Sequence, residues 1–187
     1  MSEAKADLVA THVRGLLQAL GYPESLEGEL RDTPERFAEL LLDRFVAKER
    51  SPLRALPTDA PTSGPVVLRN LPYHALCAHH IVPFFGVVQV AYLPGKTIAG
   101  FGAFPRLIDE LSRGPQLQEQ LATQIVDAIQ EDLQPEGVLV RMEARQMCME
   151  LTGACGPSHT IVYAARGCFA GVDQAQHAAN LFGPHHT

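Results

Sequence analysis

The chain has 187 residues, of which 46% are apolar and 19% are charged, and its net charge is −6. This composition is typical of one globular domain with a buried core, and the length leaves room for a small helical appendage. The 15 basic residues form no run, so nucleic acid is not an expected partner, and no apolar run reaches the roughly 18 residues that span a membrane.

Two helices and a linker are predicted in the first third of the chain. The first helix has apolar residues at helical spacing over residues 8–20, and the second begins near Asp32. The buried face of the second helix is predicted to comprise Phe37, Leu40, Leu41 and Phe45. Residues 51–65 include four prolines and are predicted to be a linker. Residues 1–65 are therefore expected to form a helical arm with a linker, and residues 66–187 the main domain.

After the linker the apolar pattern changes to that of strands and longer helices. Strands are predicted over residues 66–68, 86–93, 138–151 and 159–169, and helices over residues 104–113 and 116–133. This order predicts an α+β fold in which two hairpins form one antiparallel sheet with both helices on a single face. The open sheet edges need cover, which pairing into a larger barrel would provide. No chemistry is assigned to the polar tail from Gly171.

The segment Cys77-Ala78-His79-His80 and the distant Cys148 offer thiolates and imidazoles to a metal ion. Zinc accepts these ligands, and a catalytic zinc site uses three of them and leaves a fourth position to water. The alternative is that the cysteines are buried apolar residues. The N-terminus has no apolar signal core, so the chain is expected in the cytoplasm, with ligands or inert thiols rather than disulfides.

Short motifs follow one another between residues 76 and 169. They are Cys77-x-His79-His80-x-Val82-Pro83-Phe84-x-Gly86, Tyr92-Leu93-Pro94, Gln116-x-Gln118-Glu119-x-Leu121, Gly137-Val138, Met147-Cys148-Met149, Ser158-x-Thr160 and Gly167-x-Phe169, and Asp32-Thr33-Pro34-x-Arg36 precedes them. In order and spacing these motifs resemble the GTP cyclohydrolase I family, whose members are zinc enzymes with the tunnelling fold. The main domain is then expected to be a zinc catalytic domain of that fold.

The resemblance assigns a role to each matching residue. It implies that Cys77, His80 and Cys148 are the zinc ligands and that His79 is a catalytic histidine beside the metal. Substrate-binding positions match Gln118, Glu119 and Arg106, of which Glu119 would grip the guanine edge. In the family a zinc-activated water adds to C8 of the purine, the imidazole ring opens and formate leaves; the ribose then recloses as a pterin triphosphate. The resemblance also implies a toroidal homo-oligomer, a decamer, with sites between subunits.

This chain departs from the family pattern mainly where the triphosphate is bound. Gly102 and Ala103 replace a serine and a lysine, Thr152 replaces an arginine, and Gln146 stands where the family has its second catalytic histidine. Ala78 replaces a glutamate, and residues 55–65 carry no basic side chain. Four arginines are candidates to compensate: Arg69, Arg106, Arg141 and Arg145. Cys155 and Cys168 stay unassigned, with buried thiols as their expected role.

Three hypotheses follow from these departures. The first is a zinc-dependent cyclohydrolase that opens the ring of a guanine-type purine without a triphosphate, such as guanine, 8-oxoguanine or a nucleoside. Here His79 is catalytic, and Gln146 orients the substrate because an amide cannot transfer protons as an imidazole does. The second is a GTP cyclohydrolase I with compensating cations. The third is a catalytically silent paralogue that keeps zinc and serves as a binding or regulatory subunit.

Overall fold

The computed structural model describes residues 3–59, 64–153, 156, 159–171 and 173–183. The chain forms two compact units, Met1–Val46 and Ala47–Thr187. The division of function between residues 1–65 and 66–187 stays a prediction. Cys155 and Ser158, which the motif analysis named, lie outside the described residues. Among the described residues, no helix combines the length and the apolar character needed to cross a membrane.

The N-terminal unit is a pair of helices, α1 (Glu3–Ala19) and α2 (Thr33–Arg44), with a 3-10 turn at Gly28–Leu30 between them. The buried residues of the pair are Ala10, Val13, Pro34, Ala38 and Leu42. The predicted buried face of α2 was wrong, because Phe37 is 41% and Leu40 is 49% exposed. The buried face of α2 is instead the one that carries Pro34, Ala38 and Leu42, which follow one another at intervals of four residues, about one helical turn.

The C-terminal unit is built on a five-stranded sheet with the strand order β5-β2-β3-β6-β7. Its long strands are β2 (Val66–Cys77), β3 (Pro83–Leu93), β6 (Gly137–Gln146) and β7 (His159–Gly167). Neighbouring long strands are antiparallel, and the short β5 (Pro115–Gln116) lies parallel to β2 at its end. A separate small sheet pairs β1 (Leu56–Pro57) with β4 (Thr97–Ile98). The predicted single antiparallel sheet made from two hairpins is therefore confirmed for the long strands.

Two helices of this unit, α3 (Ala103–Leu111) and the longer α4 (Gln118–Leu133), pack on one face of the sheet as predicted. Their apolar stripes interlock with alternate residues of the strands to form the main core. A short helix, α6 (Gln174–Phe182), covers the opposite face, where Phe182 packs with Ala91, Leu139 and Ala165. Leu53, from the predicted linker, is also buried in the main core, and its N–H donates to the Asp132 carboxylate at 2.7 Å.

One predicted strand ends earlier than expected. Residues 147–151 of the predicted strand 138–151 form a short helix, α5 (Met147–Leu151). The last pairings of β6 are Gln146 with Phe84 on β3 and Arg145 with His159 on β7. Beyond Gln146 the described part of the chain offers no further strand pairing, and the backbone satisfies its hydrogen bonds locally in a helical turn. This change of direction determines where the Cys148 side chain lies.

Candidate metal centre

The centre forms where β2 and β6 end on either side of the start of β3. Cys77 is the last residue of β2, and His80 lies in the tight turn that leads to β3. The turn is closed by the Cys77 N–H, which donates to the Val82 carbonyl at 2.9 Å, and by the Ile81 N–H, which donates to the Cys77 carbonyl at 2.9 Å. Cys148 is supplied by α5, immediately after β6.

The predicted metal ligands come together. The Sγ atoms of Cys77 and Cys148 and a ring nitrogen of His80 all lie within 4.8 Å of one another. The Cys77 Sγ is 3.9 Å from the His80 Nδ1. A tetrahedral zinc ion with its usual bond lengths would hold such a sulfur and nitrogen about 3.6 Å apart. The donor set therefore fits zinc, and this sulfur–nitrogen pair needs only a small contraction.

The environment of the two thiols also suits a cation. Burial raises the pKa of the Cys148 thiol, and the neighbouring Cys77 raises it further. Cys77 is buried, Cys148 is half-buried and His80 is exposed. Two adjacent thiolates without a cation would repel each other, whereas a bound divalent ion favours their deprotonated forms. The group is therefore better suited to holding a metal than to holding free thiolates.

A cavity of about 220 Å³ opens beside the three ligands. It lies between the β2–β3 turn, the start of α4, the end of β6 and β7. Its lining residues are Cys77, His79, Phe84, Gln116, Leu117, Gln118, Glu119, Gln146, Cys148, Met149 and Thr160. No lysine or arginine among the described residues belongs to this lining, and Glu119 is its one carboxylate. The cavity thus combines a metal-binding end with neutral and acidic polar groups.

Three cavity residues form a hydrogen-bonded network. The Gln146 Nε2 donates to the Gln118 Oε1 at 2.9 Å, and the Thr160 Oγ1 donates to the same oxygen at 2.5 Å. The Gln118 Nε2 donates to the backbone carbonyls of Met142 and Thr160, each at 3.2 Å. All four bonding positions of the Gln118 amide are therefore used within the chain. Its side chain supports Gln146 and has no hydrogen-bonding position left for a ligand.

Of the other predicted site residues, two lie at the cavity and one lies outside it. His79 and Glu119 line the cavity, and Glu119 is an exposed residue in the first turn of α4, where helix N–H groups favour a negative charge. Arg106 is exposed on α3 and does not line the cavity. The roles of all three stay predictions.

Two of the four arginines considered for compensation already have acidic partners. Arg141 is 5% exposed and donates to Gln89 at 2.8 Å and to Glu143 at 2.7 Å. Arg145 donates to both carboxylate oxygens of Glu150, at 2.6 and 2.7 Å. Their charges are thus largely balanced on the sheet surface, and neither residue is free to bind an additional phosphate without giving up a carboxylate.

Several residues that line the cavity had no role predicted from the sequence. Thr160 is the most important of them for the hydrogen-bonded network with Gln118 and Gln146. It lies on β7, far from the cysteines in sequence, and the motif Ser158-x-Thr160 was the signal that could have identified it. Phe84, Gln116 and Met149 were likewise part of motifs without an assigned role. Their approach to the metal ligands depends on strand pairing, which sequence spacing does not show.

The sheet of two hairpins with two helices on one face is the tunnelling fold, here with a Cys/His/Cys group at the strand ends. The chain belongs to the GTP cyclohydrolase I family, because the sequence profile described as GTP cyclohydrolase I matches residues 9–182. The family resemblance read from the motifs is thereby confirmed.

Relatives and one solved structure extend this comparison. A protein named GTP cyclohydrolase 1 from Clostridioides difficile (strain 630) is 38% identical over 174 residues, which cover 90% of this chain and 91% of the relative. One of the same name from Carboxydothermus hydrogenoformans is 40% identical over 162 residues, covering 84% of each. The archaeosine synthase QueF-Like in its apo form is 20% identical, with a TM-score of 0.46, covering 59% of this chain and 98% of that one.

Proposed function

We propose that this chain is a zinc-dependent cyclohydrolase that opens the imidazole ring of a guanine-type purine lacking a triphosphate. The observation that carries the proposal is the lining of the cavity, which joins two of the three metal-binding side chains, Cys77 and Cys148, to neutral amides and one carboxylate, without a lysine or arginine of the described residues. A cavity of about 220 Å³ is also below the usual range of about 300–1,000 Å³ for larger ligands. Both features suit a base better than a nucleoside triphosphate.

The charge argument supports the same choice. A triphosphate carries three to four negative charges, and proteins hold such groups with several cations or helix N-termini. Gly102, Ala103 and Thr152 stand where the family has polar or cationic phosphate-binding residues. Arg141 and Arg145 are engaged by Glu143 and Glu150. Arg106 and Arg69 are exposed and outside the cavity lining, so the substrate end of this cavity has little to offer a polyphosphate.

The chain's own residues would divide the work as follows. Cys77, His80 and Cys148 would hold zinc, which when bound supplies the Lewis acidity that activates water near neutral pH. His79 lines the cavity and would move protons to and from the opening ring. Glu119 would accept hydrogen bonds from the amino and ring N–H groups of a guanine-type base.

We further propose that the protein works in the cytoplasm as a homo-oligomer, a decamer with sites between subunits. Family membership supports this assembly. The sheet supports it too, because β7 is an edge strand and β5 covers only the last two residues of β2. Unpaired strand edges are commonly covered by pairing with another chain. Analytical ultracentrifugation of the zinc-loaded protein tests this, and a stable monomer at micromolar concentration would contradict it.

The activity is tested by mass spectrometry of products from the zinc-loaded protein with GTP, guanosine, guanine and 8-oxoguanine. Turnover of a base or nucleoside but not of GTP is expected. Cys148→Ser should abolish both zinc binding and turnover, since it removes a thiolate ligand. Cys168→Ser is the matched control, because Cys168, which was expected to be a buried thiol, is instead exposed and lies outside the ligand group. Turnover that survives in metal-free protein would disprove the proposal.

A second candidate is favoured by the relatives, whose name is GTP cyclohydrolase 1 at 38% identity over 90% of this chain. In that case the panel would show GTP converted to dihydroneopterin triphosphate. Arg106→Ala would then raise the KM for GTP sharply, because the arginine would hold a phosphate. A KM for GTP that does not change in Arg106→Ala would count against this candidate. Tight zinc binding with a wholly silent panel would instead indicate a non-catalytic subunit.

A further inference from the structure

The network behind the metal centre has a polarity that the structure determines. Gln118 is 4% exposed, and one end of its amide lies 3.2 Å from the backbone carbonyl oxygens of Met142 and Thr160. A carbonyl oxygen only accepts hydrogen bonds, so the atom facing these two oxygens must be the amide nitrogen. The oxygen Oε1 of Gln118 therefore faces the opposite way, toward Gln146 and the Thr160 hydroxyl.

The orientation of Gln118 in turn determines that of Gln146. The Gln118 Oε1 has no hydrogen, so the Gln146 atom at 2.9 Å from it must be the amide nitrogen. The Thr160 hydroxyl strengthens this arrangement, because it donates to the same Oε1 at 2.5 Å. The second N–H of Gln146 can donate to the Thr160 Oγ1, which lies 3.4 Å from the Gln146 Nε2, so the donor end of the amide is committed to the protein.

The carbonyl oxygen of Gln146 is left on the cavity side. It lies 3.9 Å from the Cys148 Sγ, which is a long contact with a weak donor. Gln146 and Cys148 both line the cavity. The residue therefore presents an acceptor, and no donor, beside the metal ligands, and this polarity is fixed by two backbone carbonyls and one hydroxyl.

We infer that Gln146 is a specificity-determining residue that accepts a hydrogen bond from an imidazole-ring N–H of the substrate; this inference rests on the proposed function. A free guanine-type base carries an N–H on its imidazole ring, and 8-oxoguanine carries one at both ring nitrogens. In guanosine and GTP the sugar occupies N9, and N7 is only an acceptor. Two acceptors that face each other both stay unsatisfied, so Gln146 selects a base over a nucleotide.

In this arrangement Thr160 and Gln118 are positioning residues. They do not contact the ring, and they act by keeping the Gln146 amide from rotating. A rotated amide would present its NH₂ group and would favour the bare N7 of a nucleoside or nucleotide. The choice between substrate classes therefore depends on a hydrogen-bond chain that runs from β7 through the start of α4 to the end of β6.

The inference is tested by calorimetric binding of two ligands to the zinc-loaded, full-length protein: 8-oxoguanine and 7,9-dimethyl-8-oxoguanine. The second keeps the pyrimidine edge, including its N1–H, and the 8-oxo group, but has no N–H on the imidazole ring. We expect the wild type to bind 8-oxoguanine about 10- to 100-fold more tightly. In Gln146→Met, which keeps an unbranched side chain without an acceptor, this ratio should fall about tenfold or more. Thr160→Val should give an intermediate ratio.

Steric effects of the two methyl groups are common to wild type and Gln146→Met, so they cancel when the affinity ratios of the two proteins are compared. The absorption spectrum of the cobalt-substituted protein reports whether Cys77 and Cys148 still bind metal in each variant. An equal ratio in wild type and Gln146→Met, with unchanged cobalt spectra, would overturn the inference and leave the proposed function standing. Binding of GTP but of neither base would overturn both.

Discussion

Arg145 and Glu150 form a bidentate ion pair, with bonds of 2.6 and 2.7 Å, that ties the end of β6 to the short helix carrying Cys148. The pairing raises the pKa of Arg145 and lowers the pKa of Glu150, chiefly through their mutual hydrogen bonds. A two-bond contact of this kind fixes an orientation as well as a distance. We conclude that the ion pair helps to hold α5 where Cys148 can meet Cys77 and His80.

Glu150→Gln is therefore expected to weaken metal binding without abolishing it. The amide keeps one acceptor for Arg145 but loses the charge and the fork geometry, so α5 becomes less firmly placed. Zinc affinity, measured by competition with a chromogenic chelator, should fall by roughly tenfold, at the low end of the roughly 10- to 100-fold loss that is typical for residues outside the ligand shell. Glu136→Gln, at a position away from the centre, is the control. Unchanged zinc affinity in Glu150→Gln would show that α5 is held by its backbone alone.

The ion pairs of Glu143 with Arg141 and His159 are expected to contribute to the stability of the fold in a way that depends on pH. Desolvation by burial would raise the pKa of Glu143, but hydrogen bonds and charges from Arg141 and His159 outweigh it, and the pKa is lowered. A carboxyl group with a lowered pKa stabilises the folded state at pH values above its unfolded pKa of about 4.3. This contribution is lost as the pH falls through the lowered folded-state value.

Glu143→Gln should therefore destabilise the protein at neutral pH, by about 1–3 kcal/mol, because the nearly buried Arg141 loses its carboxylate partner. The difference from wild type should shrink as the pH falls below the unfolded pKa of about 4.3 and through the lowered pKa of the folded state, where the wild-type carboxylate also becomes protonated. Urea unfolding at pH 7 and in the acid range measures both effects. A difference of the same size at every pH would mean that packing, and not charge, accounts for it.

Removal of the Tyr73 hydroxyl is expected to stabilise the protein, in contrast to the destabilisation expected for Glu143→Gln. Tyr73 is 2% exposed, and its hydroxyl oxygen is buried without a hydrogen-bond partner among the described residues. Its pKa is raised by this burial. Tyr73→Phe removes an unsatisfied polar group and should stabilise the protein by about 1 kcal/mol.

Tyr92→Phe is the matched control for this change. Tyr92 is 1% exposed, and its hydroxyl is hydrogen-bonded to the backbone of Ala99. Removing this hydroxyl should destabilise the protein by about 1 kcal/mol. Thermal unfolding of the two variants should thus shift in opposite directions. Destabilisation by Tyr73→Phe would indicate that the Tyr73 hydroxyl has a partner in the assembled protein.

Restoring cations at the positions that depart from the family should bring back affinity for a triphosphate. In Ala103→Lys combined with Thr152→Arg, two charge-assisted contacts worth about 1.5–3 kcal/mol each become available. GTP binding should then tighten by about two to four powers of ten, if both reach the phosphates. The neutral double variant with Ala103→Gln and Thr152→Gln is the control. Equal GTP affinity in both double variants would show that these positions do not contact the triphosphate.

Much of the fold could be predicted because its signals are local. Gln116 to Leu133 has an apolar stripe at helical spacing, and helix α4 is found at Gln118–Leu133. The predicted strand 66–68 extends to Cys77, and its length was missed because an irregularity between Leu68 and Leu71, with Asn70 at positive φ, interrupts the alternating pattern. The boundary at Gln146 was missed for a different reason, since the end of a strand depends on where its neighbours end.

The sequence by itself determined which chemistry is available: thiolates and imidazoles of the right types at Cys77, His80 and Cys148, and the loss of cationic residues at Ala103 and Thr152. Only the tertiary structure decided which of these groups meet and which way they face. The arginines at 141 and 145 are balanced by carboxylates, and the Gln146 amide presents its oxygen to the cavity. Residue identity is a local property, whereas charge balance and hydrogen-bond polarity depend on partners that strand pairing brings from distant parts of the chain.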